Sequence, residues 1–346
     1  MMSSERELAR QYSVSDTTVR RVLGMLEQEG YVERYHGRGT VISDPLRQGE
    51  FAIVIRPQLL EADASPFYRE MASLLSRKIS GYNGVQWHPK LHLGKRVGKS
   101  KDYPATLDIL EPDFIKILRG VFSFHPLWEL SGPLKQKNIP FVRLDGVCGK
   151  ADALINYDRE AFYRETSRYL HRSGCKTVGF VCARLSPEDE RKPEGNDKYF
   201  AEHAIEAGLS IRDEWMLVFD RDANANASPG TLASTVENRS YECFMKFWEQ
   251  NSHPDAIVID DDFIACGVLR AILHKQIRIP EQISLVTYAN KGVHLPYHLS
   301  VTRHEYDMDR MAATAFDAMV KLLNGQKLGE QNIISIPGEL IEGETT

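Results

Sequence analysis

SSERELARQYSVSDTTVRRVLGMLEQEGYVERYHGRGTVI, residues 3–42, reads as two short helices followed by a hairpin. Ser4 and Glu7 have the S-x-x-E spacing in which each residue satisfies a free N–H at a helix start, so a first helix is expected from there to about Tyr12. Val14 turns the chain. Ser15 can cap a second helix, whose apolar residues Val19, Val22, Leu23 and Leu26 recur at i, i+3, i+4 and i+7. Its opposite face carries Thr17, Thr18, Arg20 and Arg21. Gly30 has the position of a helix stop, and Tyr31 to Tyr35 can pair with Thr40 to Ile42 around His36-Gly37-Arg38-Gly39.

The start of the second helix offers hydroxyls and unpaired N–H groups under a partial positive charge, which suits phosphate, and Arg20 can reach a guanine edge or a phosphate. Glycines on both sides of Arg38 let a thin arginine tip approach a minor groove. The plainer reading of the same residues is an amphipathic helical pair with a surface hairpin that contacts protein. Residues 1–47 hold seven arginines, no lysine and seven acids, so this segment is neutral within a chain of net charge −5. The absence of lysine favours planar arginine hydrogen bonding over a bulk electrostatic film on DNA, with binding resting on dimerisation and specific contacts.

The motifs ER-x-LA, VS-x-x-TVRR, L-E-x-EG and GRGT make residues 3–42 resemble the winged helix-turn-helix of the GntR family. The resemblance implies DNA contacts by Arg6, Ser15, Thr17, Thr18 and Arg20, with His36, Gly37 and Arg38 at the wing. Two departures stand out. Asp16 occupies a position where many such heads carry arginine; an acid there repels phosphate, selects a cytosine amino group, or caps the helix. The family pattern is also preceded by a further helix, which is missing before Ser4. Leu8, Val22 and Leu26 are then expected to be partly uncovered, by a start lying upstream of Met1 or by a weakened head.

After the polar connector Asp44–Glu50 the pattern changes to alternating strands and helices. Strands are expected at 51–55, 84–88, 120–124, 141–144, 177–181, 215–219, 256–260 and 284–288, with helices at 67–80, 161–173, 196–207, 241–250 and 263–275 between them. Such alternation over 346 residues predicts an α/β fold with two parallel, covered sheets. LKQKNIPFVRLDGV (134–147), INYDREAFYRETSRYLHRSGCKTVGFV (155–181), HPDAIVIDDDFIACGVLRAILHKQIRIPEQISLVTY (253–288) and IPGELIE (336–342) resemble the LacI/GalR effector domain, whose fold is periplasmic-binding-protein-like. The resemblance implies a winged helix-turn-helix at 1–44, a linker at 45–50 and a two-lobed effector and dimerisation domain at 51–346. Lobe 1 is expected to hold 51–155 and 291–325, and lobe 2 to hold 156–290 and 326–346, with hinge crossings near Val147–Asp158, Thr287–Val293 and Gly325–Ile333. A GntR-type head on a LacI-type body is the arrangement of arabinose-repressor-like regulators. It implies a repressor-like transcription factor that binds a near-palindromic operator as a homodimer and answers to a small molecule.

The cleft-facing residues implied by this resemblance are Phe67, Tyr68, Arg143, Asp158, Asp197, Asp261 and Asn290; for each, a structural or solvated role stays open beside ligand contact. Aromatic faces stack on C–H surfaces while carboxylates accept from hydroxyls, which suits a sugar or sugar derivative. Two frequent sugar anchors are changed, however: an arginine to Asp197 within NDKYFAEHA, and an aspartate to Ala289. In IDDDF, Asp262 is expected to cap the next helix and Asp261 to face the cleft, since successive side chains at a strand end point in alternate directions. No metal, cofactor or enzymatic step is expected. The five scattered cysteines read as buried apolar residues, and the lack of an export signal or long apolar run predicts a cytoplasmic protein without membrane contact. The alternatives are a regulator that binds DNA constitutively or answers to a protein partner, and a small-molecule-binding protein that does not bind DNA.

Overall fold

Ser4 starts the first helix as its spacing requires: Glu7 N–H donates to its Oγ at 3.3 Å and Ser4 N–H donates to Glu7 Oε2 at 2.8 Å. This computed structural model describes residues 2–28, 31–35, 39–42, 48–60, 65–82, 85–93, 108–124, 127–144, 151–184, 195–220, 236–328 and 332–346. The head comprises α1 (Glu5–Gln11), α2 (Asp16–Gln28) and the antiparallel pair β1 (Val32–Tyr35) and β2 (Gly39–Ile42). Ala9, Val19 and Leu23 form its small core. Val22 is 47% exposed, and Leu8 and Leu26 are half-buried.

The body holds two six-stranded sheets. In the first, β3 (Gln48–Ile55), β4 (Gln86–Leu93), β5 (Leu118–Ser123), β6 (Phe141–Leu144), β7 (Ala153–Tyr157) and β13 (Ile333–Ile336) are all parallel, in the order β4-β3-β5-β6-β7-β13. Alternation along β3 divides its burial between two layers. Phe51, Ile53 and Ile55 join the core with α3 (Pro66–Ser80) and α10 (Met308–Leu323), whereas Ala52 and Val54 pack with Leu130 and Leu134 of α5 (Trp128–Gln136).

In the second sheet the order is β9-β8-β10-β11-β12-β14, from β8 (Val178–Arg184), β9 (Met216–Asp220), β10 (Ala256–Ile259), β11 (Ser284–Asn290), β12 (Thr302–Tyr306) and β14 (Glu339–Ile341). Only β14 runs antiparallel to its neighbour. α6 (Arg159–Arg172) and α7 (Gly195–Glu206) cover one face, while α8 (Val236–Trp248) and α9 (Asp262–Lys275) cover the other.

Two corrections to the expected lobes follow from strand pairing. The segment 291–306 belongs to lobe 2, because Val286–Asn290 of β11 pair with Thr302–Tyr306 of β12. Residues 333–336 belong to lobe 1, where β13 pairs with β7. The chain therefore crosses between lobes at Tyr157–Arg159, Tyr306–Met308 and Ile336–Glu339. The first overlaps the end of the expected range and extends one residue past it; the other two are displaced because β12 alternates buried and half-exposed residues and β13 is a largely exposed edge, so neither reads as an apolar run. The expected linker is also shorter, since Gln48–Glu50 already belong to β3.

Gly267 is where α9 meets α8: a Cβ there would run into the Glu237 carbonyl oxygen and Ser240 Oγ. Backbone cannot yield as a flexible side chain would. Gly267→Ala is expected to cost about 1–3 kcal/mol by overpacking, read as a lower urea midpoint with an unchanged slope.

Candidate functional site

The residues expected to contact DNA lie on α1 and at the start of α2. Arg6, Ser15, Thr17, Thr18 and Arg20 are all exposed. Ser15 Oγ accepts from Thr18 N–H at 3.1 Å and lies 2.8 Å from Thr18 Oγ1, so the two hydroxyls organise the helix start themselves. Arg6 and Thr17 have no protein partner among the described residues. His36, Gly37 and Arg38 lie outside the described residues.

A second site opens between the lobes, at the carboxyl ends of parallel strands where α/β sheets commonly take ligands. This cavity has a volume of about 670 Å³, counting its open mouth. Lobe 1 contributes Ser65, Phe67, Tyr68 and Tyr157. Ser65 caps α3, with Pro66 in the first turn, and thereby fixes the two aromatics that follow. Their rings meet edge to face at 5.2 Å, and Phe67 also meets Tyr157 at 6.0 Å.

Lobe 2 contributes a polar wall built around Asp260. Arg159 Nη1 lies 3.1 Å from Asp260 Oδ1, Tyr163 donates its hydroxyl to the same oxygen at 2.8 Å, and Asn196 Nδ2 donates to Oδ2 at 2.8 Å. Every oxygen of this buried carboxylate is engaged. The Arg159 guanidinium also stands over the Tyr288 ring, 5.3 Å from its centre. Asp261 caps α9 through Oδ1, which accepts from Phe263 N–H at 2.8 Å and Ile264 N–H at 3.4 Å. Asp262 turns away to hold Asn290, accepting from its N–H at 3.0 Å and its Nδ2 at 2.9 Å.

Residues 167–346 match the family model described as a periplasmic binding protein-like domain, which is more than half of the chain. This chain belongs to the periplasmic binding protein-like family. Residues 1–42 match the model of bacterial regulatory proteins of the gntR family. Among curated relatives, the HTH-type transcriptional repressor PurR of Pasteurella multocida is 27% identical over 59% of this chain, which spans only 56% of that relative. The arabinose metabolism transcriptional repressor of Halalkalibacterium halodurans is 22% identical, with 99% of this chain and 90% of the relative covered. Among solved structures, a LacI family transcriptional regulator from Arthrobacter sp. FB24 in complex with lactose matches with a TM-score of 0.64 at 18% identity, covering 86% of this chain and 100% of that one. CcpA of Lactococcus lactis matches at 0.62 and 18%, over 87% and 100%.

Within this periplasmic binding protein-like body, the cleft gathers Phe67, Tyr68, Asp261 and Asn290 of the residues expected there. It leaves out Arg143, Asp158 and Asp197 among the described residues. Arg143 is buried on β6 in lobe 1. Asp158 is turned back onto α6, where its Oδ1 caps Ala161 N–H at 2.9 Å, and Arg159 takes the cleft position. Asp197 gives way to Asn196, one residue earlier in the first turn of α7. The expected roles in IDDDF also shift: Asp261 is the cap as well as a cleft residue, and Asp262 is not the cap. Among the cleft residues that sequence reasoning missed are Tyr157, Arg159, Asn196, Asp260 and Tyr288. Their signal is adjacency, each lying within two residues of a position already singled out or at the end of a strand.

Burial sets the charge states. It pushes Asp260 above the usual carboxylate range although Arg159, Tyr163 and Asn196 pull the other way. It pushes Asp262 up to about 7, with the neighbouring Asp261 charge adding to the rise. A native carboxyl that keeps its proton longer than the unfolded chain stabilises fully below the unfolded value, and that contribution is lost as pH rises through the folded one. The stability of the wild type relative to Asp262→Asn should therefore fall between about pH 4 and 7, by up to about 1.4 kcal/mol per pH unit. Urea melts of both proteins at pH 5 and pH 8 check this, and a constant difference between them would contradict it.

Proposed function

We propose that the chain is a ligand-responsive DNA-binding repressor: a symmetric homodimer sets two heads on a near-palindromic operator, and a small molecule in the interlobe cleft changes their fit. The carrying observation is continuity, since the gntR-type head is followed by β3, the strand whose helix α3 presents Phe67 and Tyr68 to the cleft. A ligand that prefers one lobe arrangement biases head spacing, and DNA then biases ligand affinity by the same factor. Binding at both sites, without a chemical step, is enough for this role.

The cleft's chemistry supports a sugar-like or other hydroxyl-rich ligand. Asp261 bonds the protein only through Oδ1 among the described residues, which leaves Oδ2 to accept from a ligand. Five aromatic rings line the cleft and supply stacking faces, those of Phe67, Tyr68, Tyr157, Phe263 and Tyr288. Arg159 is already committed to Asp260, which disfavours a ligand recognised mainly by negative charge.

Two measurements test the reading. A gel shift against DNA from upstream of the chain's own gene, at fixed salt with competitor DNA, should show specific binding, and Arg20→Ala should weaken it by about 1–3 kcal/mol. Unchanged affinity would remove α2 as the reading helix. A thermal-shift screen of sugars, nucleosides and phosphorylated sugars should find a stabilising compound that also alters the gel shift. Phe67→Ala should abolish that stabilisation while leaving DNA binding without ligand in place.

A further inference from the structure

Glu5 stands at the centre of the head's charged groups. Its Oε2 accepts from Arg20 Nε at 3.2 Å, and its Oε1 accepts from Arg34 Nη2 at 2.6 Å. Arg34, on β1 of the wing, is itself placed between the two helices, with Nε 3.9 Å from Glu27 Oε2 of α2. One carboxylate of α1 thus joins an arginine of the reading helix to an arginine of the wing.

The atoms used matter more than the pairing. Arg20 is bonded through Nε alone, so both terminal nitrogens of its guanidinium are without a protein partner among the described residues. Those two nitrogens form the fork that matches O6 and N7 of guanine. The Arg20 side chain is 68% exposed and would otherwise sample many rotamers, losing entropy on contact with a base. Glu5 in turn is 31% exposed, and both of its oxygens are held.

We infer that Glu5 is a specificity-determining residue of the head: it presents the Arg20 fork toward a base edge, and Arg34 of the wing fixes Glu5 in the position to do so. This rests on the DNA-reading function proposed above. Glu5 acts through Arg20 and touches no base, so its effect is on discrimination between sequences rather than on attraction to phosphate. An acid beside DNA opposes general binding, which makes the two effects opposite in sign.

The test uses the full chain, the duplex from upstream of its own gene and a random-sequence duplex of equal length, with affinities measured by fluorescence anisotropy across a salt series. For Glu5→Ala the ratio of specific to random-sequence affinity should fall by about tenfold or more, while random-sequence affinity holds or rises. Arg34→Ala should lower the ratio too, with little further loss when added to Glu5→Ala, because both act along one path. Glu5→Gln keeps the side chain's length and one acceptor oxygen, and it should give an intermediate ratio with the wild-type melting temperature. An unchanged ratio in Glu5→Ala would overturn the inference, as would tighter binding to both duplexes, which would make Glu5 a competitor for Arg20. Equal loss on both duplexes in the alanine and glutamine variants would also overturn it, leaving Glu5 a merely structural role. A wild type that prefers neither duplex would overturn the DNA-reading function itself, and this inference with it.

Discussion

The two lobes are one machine because their three crossings are tied together at Asp158. Its N–H donates to the Ile336 carbonyl at 2.9 Å, joining the first crossing to the third, and its own carbonyl accepts the Tyr306 hydroxyl at 2.6 Å, joining the first to the second. The Tyr157 ring packs on Tyr306 with centres 4.5 Å apart. Gly338 lets the third crossing lie against this cluster, where a Cβ would come within 2.6 Å of His304 Nδ1 and 2.8 Å of the Tyr306 ring. A hinge so stitched restricts the lobes to rotation about a common axis. Independent splaying would break the hydrogen bonds that join the crossings.

The cleft inherits its shape from that axis. Tyr157 belongs to the first crossing and also lines the cavity, and its ring meets Tyr288 of lobe 2 at 6.0 Å. Rotation about the crossings therefore alters the aromatic floor and the separation of its walls at the same time. On the lobe 2 wall the carboxylates are divided among separate tasks. Asp260 holds Arg159, Tyr163 and Asn196; Asp261 holds the start of α9; Asp262 holds Asn290. Because these bonds all lie within lobe 2, closure need not break them, and the wall can move as a preformed surface.

Much of this architecture is legible in the residues, for reasons that differ by element. Phe141–Leu144 is buried at all four positions, and the expected strand coincides with the observed one even though Arg143 interrupts its apolar residues. The capping residues Ser4, Ser15 and Ser65 announce helices because a hydroxyl placed there satisfies a free N–H. Thr302–Tyr306 fails to announce itself because His304 is buried and polar while Arg303 and Glu305, at the alternate positions, bond each other. α10 is different: Asp307 caps it and Met311, Ala315, Phe316 and Met319 line its buried face, so its periodicity is legible in the residues. Arg143 apart, the cleft was legible to within a residue but not in orientation. Whether Asp158 or Arg159 faces the cavity depends on the helix cap turning one of them inward, and composition does not record that choice.

The junction between head and body sits at the other end of the same sheet. Arg119 of β5 donates Nε to the Gln48 carbonyl at 2.9 Å and Nη1 to the Lys116 carbonyl at 3.1 Å, clamping the first residue of β3 to lobe 1. Gly49 has a φ of 152° and no room for a Cβ beside the Arg119 side chain and the Ile117 carbonyl oxygen. The eight residues of β3, at about 3.3 Å each, separate this clamp from the strand end nearest the cleft. β3 is bonded along both edges, to β4 and β5, so it transmits rotation without stretching. The clamp and the cleft thus occupy opposite ends of one rigid strand. A small rotation of lobe 1 about the Asp158 cluster is then carried along β3 to Gln48, at the end of the strand from which the chain leads back to the head.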